Sequence, residues 1–294
     1  MLDARGGIHL SDFAMTLLGI VGPKLATFTI DVARLTLWLV LLAAIFVPLE
    51  RFFTRGHARP GRAALGGDLF YYFLNSLLPG VLLALPIAAL ATVSQRLLPG
   101  SYVALIASAP FWLLVTLAIV IGEIGVYWGH RLSHEIPLLW RFHALHHAPE
   151  HMNWLVNTRA HPVDMVFTRL CGLAPLYFLG LQSLGGHEAG SIAVITTLVG
   201  TVWAFFVHAD LRWRFGPLEY VLATPGFHHW HHTNDGNINK NYAALLPMLD
   251  WVFGTIHLPG HLPPSYGIDE AHPETVRGEL LNPLRRKVVS ERME

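Results

Sequence analysis

The chain has 294 residues, 53% of them hydrophobic and only 14% charged, against roughly 45 to 50% and 25% in an average soluble domain. Twenty basic and twenty acidic side chains cancel, which excludes a chain built to neutralise nucleic-acid phosphates. The single cysteine, Cys171, excludes an internal disulfide framework, a cysteine-ligated zinc module and a cysteine-held iron–sulfur cluster, so any metal falls to the eighteen histidines.

In chain order, Met1 to Gly7 lacks the basic region and short apolar core of a cleaved leader, so the hydrophobic segments are expected to be retained. Phe13 to Ile30 reads as a further span or an interfacial helix, with Gly19, Gly22, Pro23 and Lys24 opposing a simple crossing. Leu35 to Leu49 is uncharged and reaches about 20 residues only by extending back past Arg34 and Asp31. Leu69 to Gln95 and Leu97 to Gly122 carry only Arg96 between them, and each is long enough for a hydrocarbon core of about 30 Å. Val163 to Leu184, interrupted by Asp164 and Arg169, and the uncharged Ser191 to Val207 read as a second pair of membrane-embedded helices.

Arg51, Arg55, Arg59 and Arg62 mark the loop after the first span as cytoplasmic by the positive-inside rule. Counting from it, the chain returns to the cytoplasm near Glu123 and again near His208. The polar, proline-bearing tail from Gly260 reads as a surface extension. The expected fold is all-α, an integral membrane helical bundle with a cytoplasmic histidine-rich metal-binding cap. Uncharged stretches of over 20 residues argue against a soluble helical protein.

An even spread would place about one histidine in any 18-residue window, yet His130 to His147 holds five. The clusters are His130 with His134, His143 with His146 and His147, and His228 with His231 and His232. Residues three or four apart share a helix face, so two or three imidazoles of each cluster converge on one side. Thr224 fits as N-cap and Pro225 as first residue of a helix bearing the third cluster. His161 precedes Pro162 in the same manner, and His208 closes the span that precedes the third cluster. So many imidazoles in one place need a partner, and metal supplies it: neutral imidazole is the commonest biological ligand. Eight to ten ligands imply two ions.

Ligand type alone does not choose among zinc, copper, iron and nickel. A two-zinc hydrolase would mix carboxylates into the ligand set, and the dense clusters hold none. A histidine-rich metal transporter would carry ionisable residues within its spans, which are nearly free of them. Glu123, Glu135, Glu150, Asp210, Asp235 and Asp250 are close enough in sequence to orient rings, although caps and surface ion pairs are their ordinary roles. Trp128, Trp140, Trp154, Trp203, Trp213, Trp230 and Trp251 are candidates for an interfacial belt or a substrate tunnel.

The ordered pattern H-x(3,4)-H, H-x-x-H-H, H-x-x-H-H resembles the fatty acid hydroxylase and sterol desaturase superfamily of membrane oxygenases. The flanks Tyr127-Trp-Gly-His130-Arg, Leu139-Trp-Arg-Phe-His143, Asn241-Tyr242-Ala and Leu249-Asp250-Trp-Val-Phe-Gly-Thr255 resemble it too. Gly216-Pro-Leu-Glu219 and Asn237 to Ala243 look most like the alkylglycerol monooxygenase branch. The resemblance implies a non-haem di-iron centre that activates O2 to hydroxylate or desaturate a lipid or sterol. By it, His130, His134, His143, His146, His147, His228, His231 and His232 are iron ligands and His208 is a further one. His161 recurs in many relatives but not in the alkylglycerol branch; His229 and His151 fall off the motif. The implied organisation is a membrane-spanning region 1–121, a catalytic domain 122–259 with two further membrane helices, and a tail 260–294. With no glycine-rich dinucleotide motif, c-type haem motif or cysteine set, electrons must come from a separate carrier protein or a reduced pterin.

Overall fold

The computed structural model describes residues 10–54, 61–182 and 187–285. Arg55, Arg59 and the Met1 to Gly7 segment lie outside them, as does Leu184. The protein is all-helical; among the described residues the β content is one isolated bridge, Thr233 to Tyr266.

The first helix, α1 (Leu10–Phe53), merges the two expected N-terminal segments. Gly19, Gly22, Pro23 and Lys24 do not interrupt it, since a proline removes one ladder bond and kinks a helix without having to end it. Within α1, Thr27–Phe53 is long and apolar enough to cross a membrane. Leu69 to Gln95 becomes a broken pair, α2 (Arg62–Leu82) and α3 (Ala84–Leu97), bent by 42°. Pro79 and Pro86 flank the break and each withholds an N–H from the ladder.

The expected span Leu97 to Gly122 is corrected by the structure. Its first part is a short helix, α4 (Gly100–Ala107), and the crossing helix is α5 (Phe111–Glu135), beginning after Pro110. Apolarity continues through Ser108-Ala109-Pro110 while the ladder does not, because Pro99 and Pro110 each restart a helix. Next come α6 (Pro137–His147), a 3-10 turn (Trp154–Thr158), α7 (Pro162–Phe178) and α8 (His187–His208). Of these, Gly190–His208 has the length and apolarity of a span. The expected Val163 to Leu184 helix stops at Phe178, because Gly180 takes φ +74° and the Leu181 N–H closes back on Leu176 O at 2.9 Å. After a second 3-10 turn (Gly216–Tyr220) the chain forms α9 (Pro225–His231), α10 (Met248–Val252) and α11 (Val276–Arg285).

Helices α5 and α7 approach closely. A Cβ at Gly125 would lie 2.1 Å from the Cys171 carbonyl oxygen and one at Gly129 would lie 2.7 Å from Cys171 Cβ, so only glycine admits this approach. Such small-residue seams hold helices together by packing where lipid removes the hydrophobic drive. At one end of the bundle, Phe46 of α1 stacks on Trp154 at 5.8 Å. The carboxylate of Glu50 accepts the N–H groups of Trp154 (2.8 Å) and Asp210 (3.1 Å). This ties the end of α1 to segments flanking α6 and α8.

The tail is no loose extension. Tyr266, Glu279 and Pro283 are buried. Glu279 accepts Tyr71 Oη at 2.9 Å and pairs with Arg159, which also reaches Asp68 at 3.2 Å. A polar segment reads as surface when its partners, here on α2 and before α7, are distant in sequence.

Candidate metal centre

Four elements deliver imidazoles to the same end of the bundle. The last turns of α5 carry His130 and His134, Ile136 breaks the ladder, and Pro137 starts α6 so that His143, His146 and His147 face back. His208 ends α8. As expected, Thr224 caps α9 by accepting Phe227 N–H (3.2 Å), with Pro225 first in the helix, presenting His228, His231 and His232.

These nine rings form two groups, all buried. His130, His134, His143, His147 and His231 offer nitrogens within 4.8 Å of one another, and so do His146, His208, His228 and His232. The groups abut: His147 and His232 stack at 4.4 Å, and His231 lies 5.3 Å from His228 between ring centroids. Trp140 is the tryptophan beside the rings, 5.1 Å from His134 and 5.6 Å from His147.

The hydrogen bonds decide what the rings can hold. A carbonyl only accepts, so a ring nitrogen bonded to one must carry the proton. His130, His146, His208 and His231 all donate Nδ1–H to carbonyls, of Tyr242 (2.7 Å), Arg159 (3.2 Å), Ala204 (2.7 Å) and Lys240 (2.8 Å). Each neutral ring then presents a bare Nε2 lone pair. Yet His146 Nε2 and His208 Nε2 face each other at 3.2 Å with no proton between them. His228 Nε2 is 2.9 Å from His208 Nε2, and His147 Nε2 is 3.1 Å from His143 Nε2. His134 Nε2, His147 Nδ1, His228 Nδ1 and His231 Nε2 are buried without a hydrogen-bond partner among the described residues. Converging lone pairs and orphaned nitrogens are costly unless a cation accepts them, so the donor set fits metal.

Protons cannot take that place. Burial first, then the neighbouring rings, push His147, His228, His231 and His232 well below the ordinary imidazole range, and hold His146 at about 3. These five rings are neutral, the form that ligates.

Sequence reasoning missed the side chains that orient the rings. Asp164, the first-turn carboxylate of α7, accepts His143 Nδ1–H at 3.0 Å, and Asn239 Oδ1 lies 3.3 Å from His134 Nδ1. Among the described residues, Asp164 is the carboxylate bonded to a ring of these groups; Glu123, Glu135, Glu150, Asp210, Asp235 and Asp250 are not. Glu123 and Asp250 instead shape the segment that supplies the Tyr242 carbonyl. Glu123 accepts Leu245 and Leu246 N–H, and Asp250 accepts Tyr242 N–H and Ala243 N–H, both at 2.8 Å. Asn241 takes φ +58° there, a left-handed conformation asparagine tolerates, and bonds Phe227 O and His257 O. Asn241-Tyr242-Ala and Leu249-Asp250 were the available sequence signal.

His161 is in neither group. It caps α7, its Nδ1 accepting Val163 N–H at 3.1 Å, while its Nε2–H donates to Leu280 O at 3.2 Å, which uses both nitrogens. His229 is likewise committed, with Nε2 on Ala209 O and Nδ1 on Tyr266 Oη, both at 3.1 Å.

Residues 115–255, which hold all nine rings, match the family model described as fatty acid hydroxylase. The chain carries a fatty acid hydroxylase domain. Over 157 residues, 51% of the chain, it is 38% identical to an ornithine lipid hydroxylase of Rhizobium tropici, covering 44% of that protein. It is 34% identical to an alkylglycerol monooxygenase of Danio rerio over 149 residues, 50% of the chain and 31% of the relative. It is 30% identical to a very-long-chain aldehyde decarbonylase of Oryza sativa over 166 residues, 50% of the chain and 24% of the relative. The matched region thus spans less than half the length of each of these relatives. No solved structure gives a significant match.

Proposed function

We propose that this chain is an integral membrane, non-haem di-iron oxygenase that hydroxylates the acyl or alkyl chain of a lipid, using O2 and electrons from an external reductant. The observation that carries this reading is the meeting of five and four buried imidazoles whose ring nitrogens face one another. His130, His134, His143, His147 and His231 would hold one iron, and His146, His208, His228 and His232 the other. Imidazole suits several metals, so the choice of iron rests on the hydroxylase and monooxygenase relatives. The same relatives favour hydroxylation over desaturation.

When bound, the reduced iron pair supplies the O2 activation that an unactivated C–H bond demands, one oxygen atom entering the lipid and the other leaving as water with two electrons and two protons from the reductant. The chain's own residues do the positioning. Carbonyls of Tyr242, Arg159, Ala204 and Lys240 fix four rings in one tautomer, and Asp164 fixes the orientation of His143. Burial among α5, α6, α8 and α9 limits the access of water and stray reductant. A carrier protein or a reduced pterin delivers electrons from outside.

In this reading α1, the α2–α3 pair, α5 and α8 are embedded in the bilayer. Glu50 and Thr54, at the head of the arginine-bearing segment 51–62, bond Asp210 two residues beyond His208. Arg51 and the histidines therefore lie at one end of the bundle, and by the positive-inside rule that end would face the cytoplasm. The division into a membrane region 1–121, a catalytic region 122–259 and a tail 260–294 goes with it, the tail serving as the outer wall of the site.

Incubating membranes that contain the chain with 18O2 and a reductant tests the activity. A hydroxylated lipid carrying one 18O, absent when His146 is replaced by alanine, is expected. Label arriving only from water, or turnover unaffected by removal of O2, would overturn the reading in favour of a zinc hydrolase.

A further inference from the structure

Helix α10 turns Leu249 and Asp250 inward and its other three side chains, all apolar, outward. Asp250 is fully buried, whereas Met248, Trp251 and Val252 are 51%, 68% and 64% exposed. The following residue, Phe253, lies 5.2 Å from Tyr127 and 5.0 Å from Trp128 between ring centroids. The outward face of α10 is therefore continuous with the exposed side of α5. That side presents Leu117, Val120, Ile124 and Trp128 at the three- and four-residue spacing of one helix face.

From Phe111 to Trp128 this apolar side runs roughly 25 Å at about 1.5 Å per residue, close to the hydrocarbon thickness of a bilayer. Charge begins within the next turn. Arg131 pairs with Glu135 at 2.7 Å and its guanidinium lies over the Trp128 ring at 5.3 Å. Trp128 thus marks the level where lipid gives way to water, and Phe253 holds α10 beside that level. Lys240 adds a second cation there, its ammonium 3.5 Å from the Gly254 carbonyl.

We propose that α10 is an in-plane membrane anchor, with Met248, Trp251 and Val252 seated at the boundary of headgroups and acyl chains and Arg131 and Lys240 facing lipid phosphates. The proposal rests on the reading of α5 as a membrane-spanning helix. Its consequence reaches the metal centre through Asp250, which holds the backbone of Tyr242, whose carbonyl in turn receives His130 Nδ1–H. Anchoring α10 sets the height of the rings relative to the headgroups, and so which part of a lipid chain comes within reach.

Spin labels test this in the full chain reconstituted in phosphatidylcholine nanodiscs, with Cys171→Ser as background. Single labels are placed at Trp251→Cys, Leu117→Cys and the exposed tail position Glu274→Cys, with Val252→Cys as a second site on α10. Accessibility to O2 and to an aqueous nickel chelate is then compared. The Leu117 label should be lipid-buried and the Glu274 label aqueous, with the Trp251 and Val252 labels about 5 to 10 Å inside the phosphate level. Labels on α10 as open to nickel as the one at residue 274, with residue 117 still in lipid, would overturn the anchor alone and leave the face to a protein partner or a second copy. A nickel-accessible Leu117 label would overturn the membrane reading of α5 and the anchor with it.

Discussion

Along the shafts of α5 and α8, Leu117, Val120, Ile124, Val194, Leu198 and Val202 are exposed, while at the end where both helices stop nine imidazoles and Asp164 are buried. A protein folded in water does the reverse. The shafts hold together by close packing, as at Gly125 and Gly129 against Cys171, and turn their apolar side chains to a solvent that accepts them. The histidine end holds together by directed hydrogen bonds, because buried polar groups need partners whatever surrounds the bundle. Side-chain volume decides at the shafts, and donor–acceptor complementarity decides at the site.

The sharpest way to break this contrast is to remove one ligand. His146→Ala or His231→Ala should abolish bound metal in its group and lower activity by more than about 100-fold while the helical content persists, read by metal analysis and circular dichroism. Retention of full activity would contradict the assignment. Next, Gly125→Ala, whose new methyl would collide with the Cys171 carbonyl, should destabilise the bundle by several kcal/mol or prevent its isolation, whereas Val120→Ala on the outward face should cost about 0.5 kcal/mol or less. Comparable losses at both positions would remove the distinction between seam and lipid face.

A subtler change is Asp164→Asn, which keeps a hydrogen-bond acceptor for His143 but removes its charge. Metal affinity should fall roughly 10- to 100-fold without loss of fold, as measured by chelator competition. The pH dependence of the metal-free protein follows from the neutral rings. An unfolded imidazole takes a proton near 6.5, whereas burial keeps His146 neutral down to about 3. The unfolded state therefore binds more protons below pH 6.5, so stability is complete above that pH and erodes on acidification from about 6.5 toward 3. A melting temperature that is flat, or rises, from pH 7 to 5 would contradict neutral burial.

Much of this was legible in the sequence. Apolar runs located most of the helices and the ordered histidine spacing named eight of the nine rings, because three- and four-residue offsets fix a helix face, while His208 came from the family resemblance. Breaks inside the apolar runs were not legible, since hydropathy is blind to the ladder gaps that Pro99 and Pro110 introduce. Nor were Asp164, Asn239 and Glu279, whose partners lie 21, 105 and 120 residues away in the chain. His161 is a converse case. It sits in a helix-start motif, and tertiary contact with Leu280 occupies its second nitrogen, which nothing in the local sequence signals.

The central claim, that two metal ions sit between facing imidazoles, is tested most directly by metal content per folded chain purified in detergent under reducing conditions. About two irons per chain are expected, with about one remaining in His146→Ala. Stoichiometric zinc in place of iron, or folded and active protein with no bound metal, would contradict it.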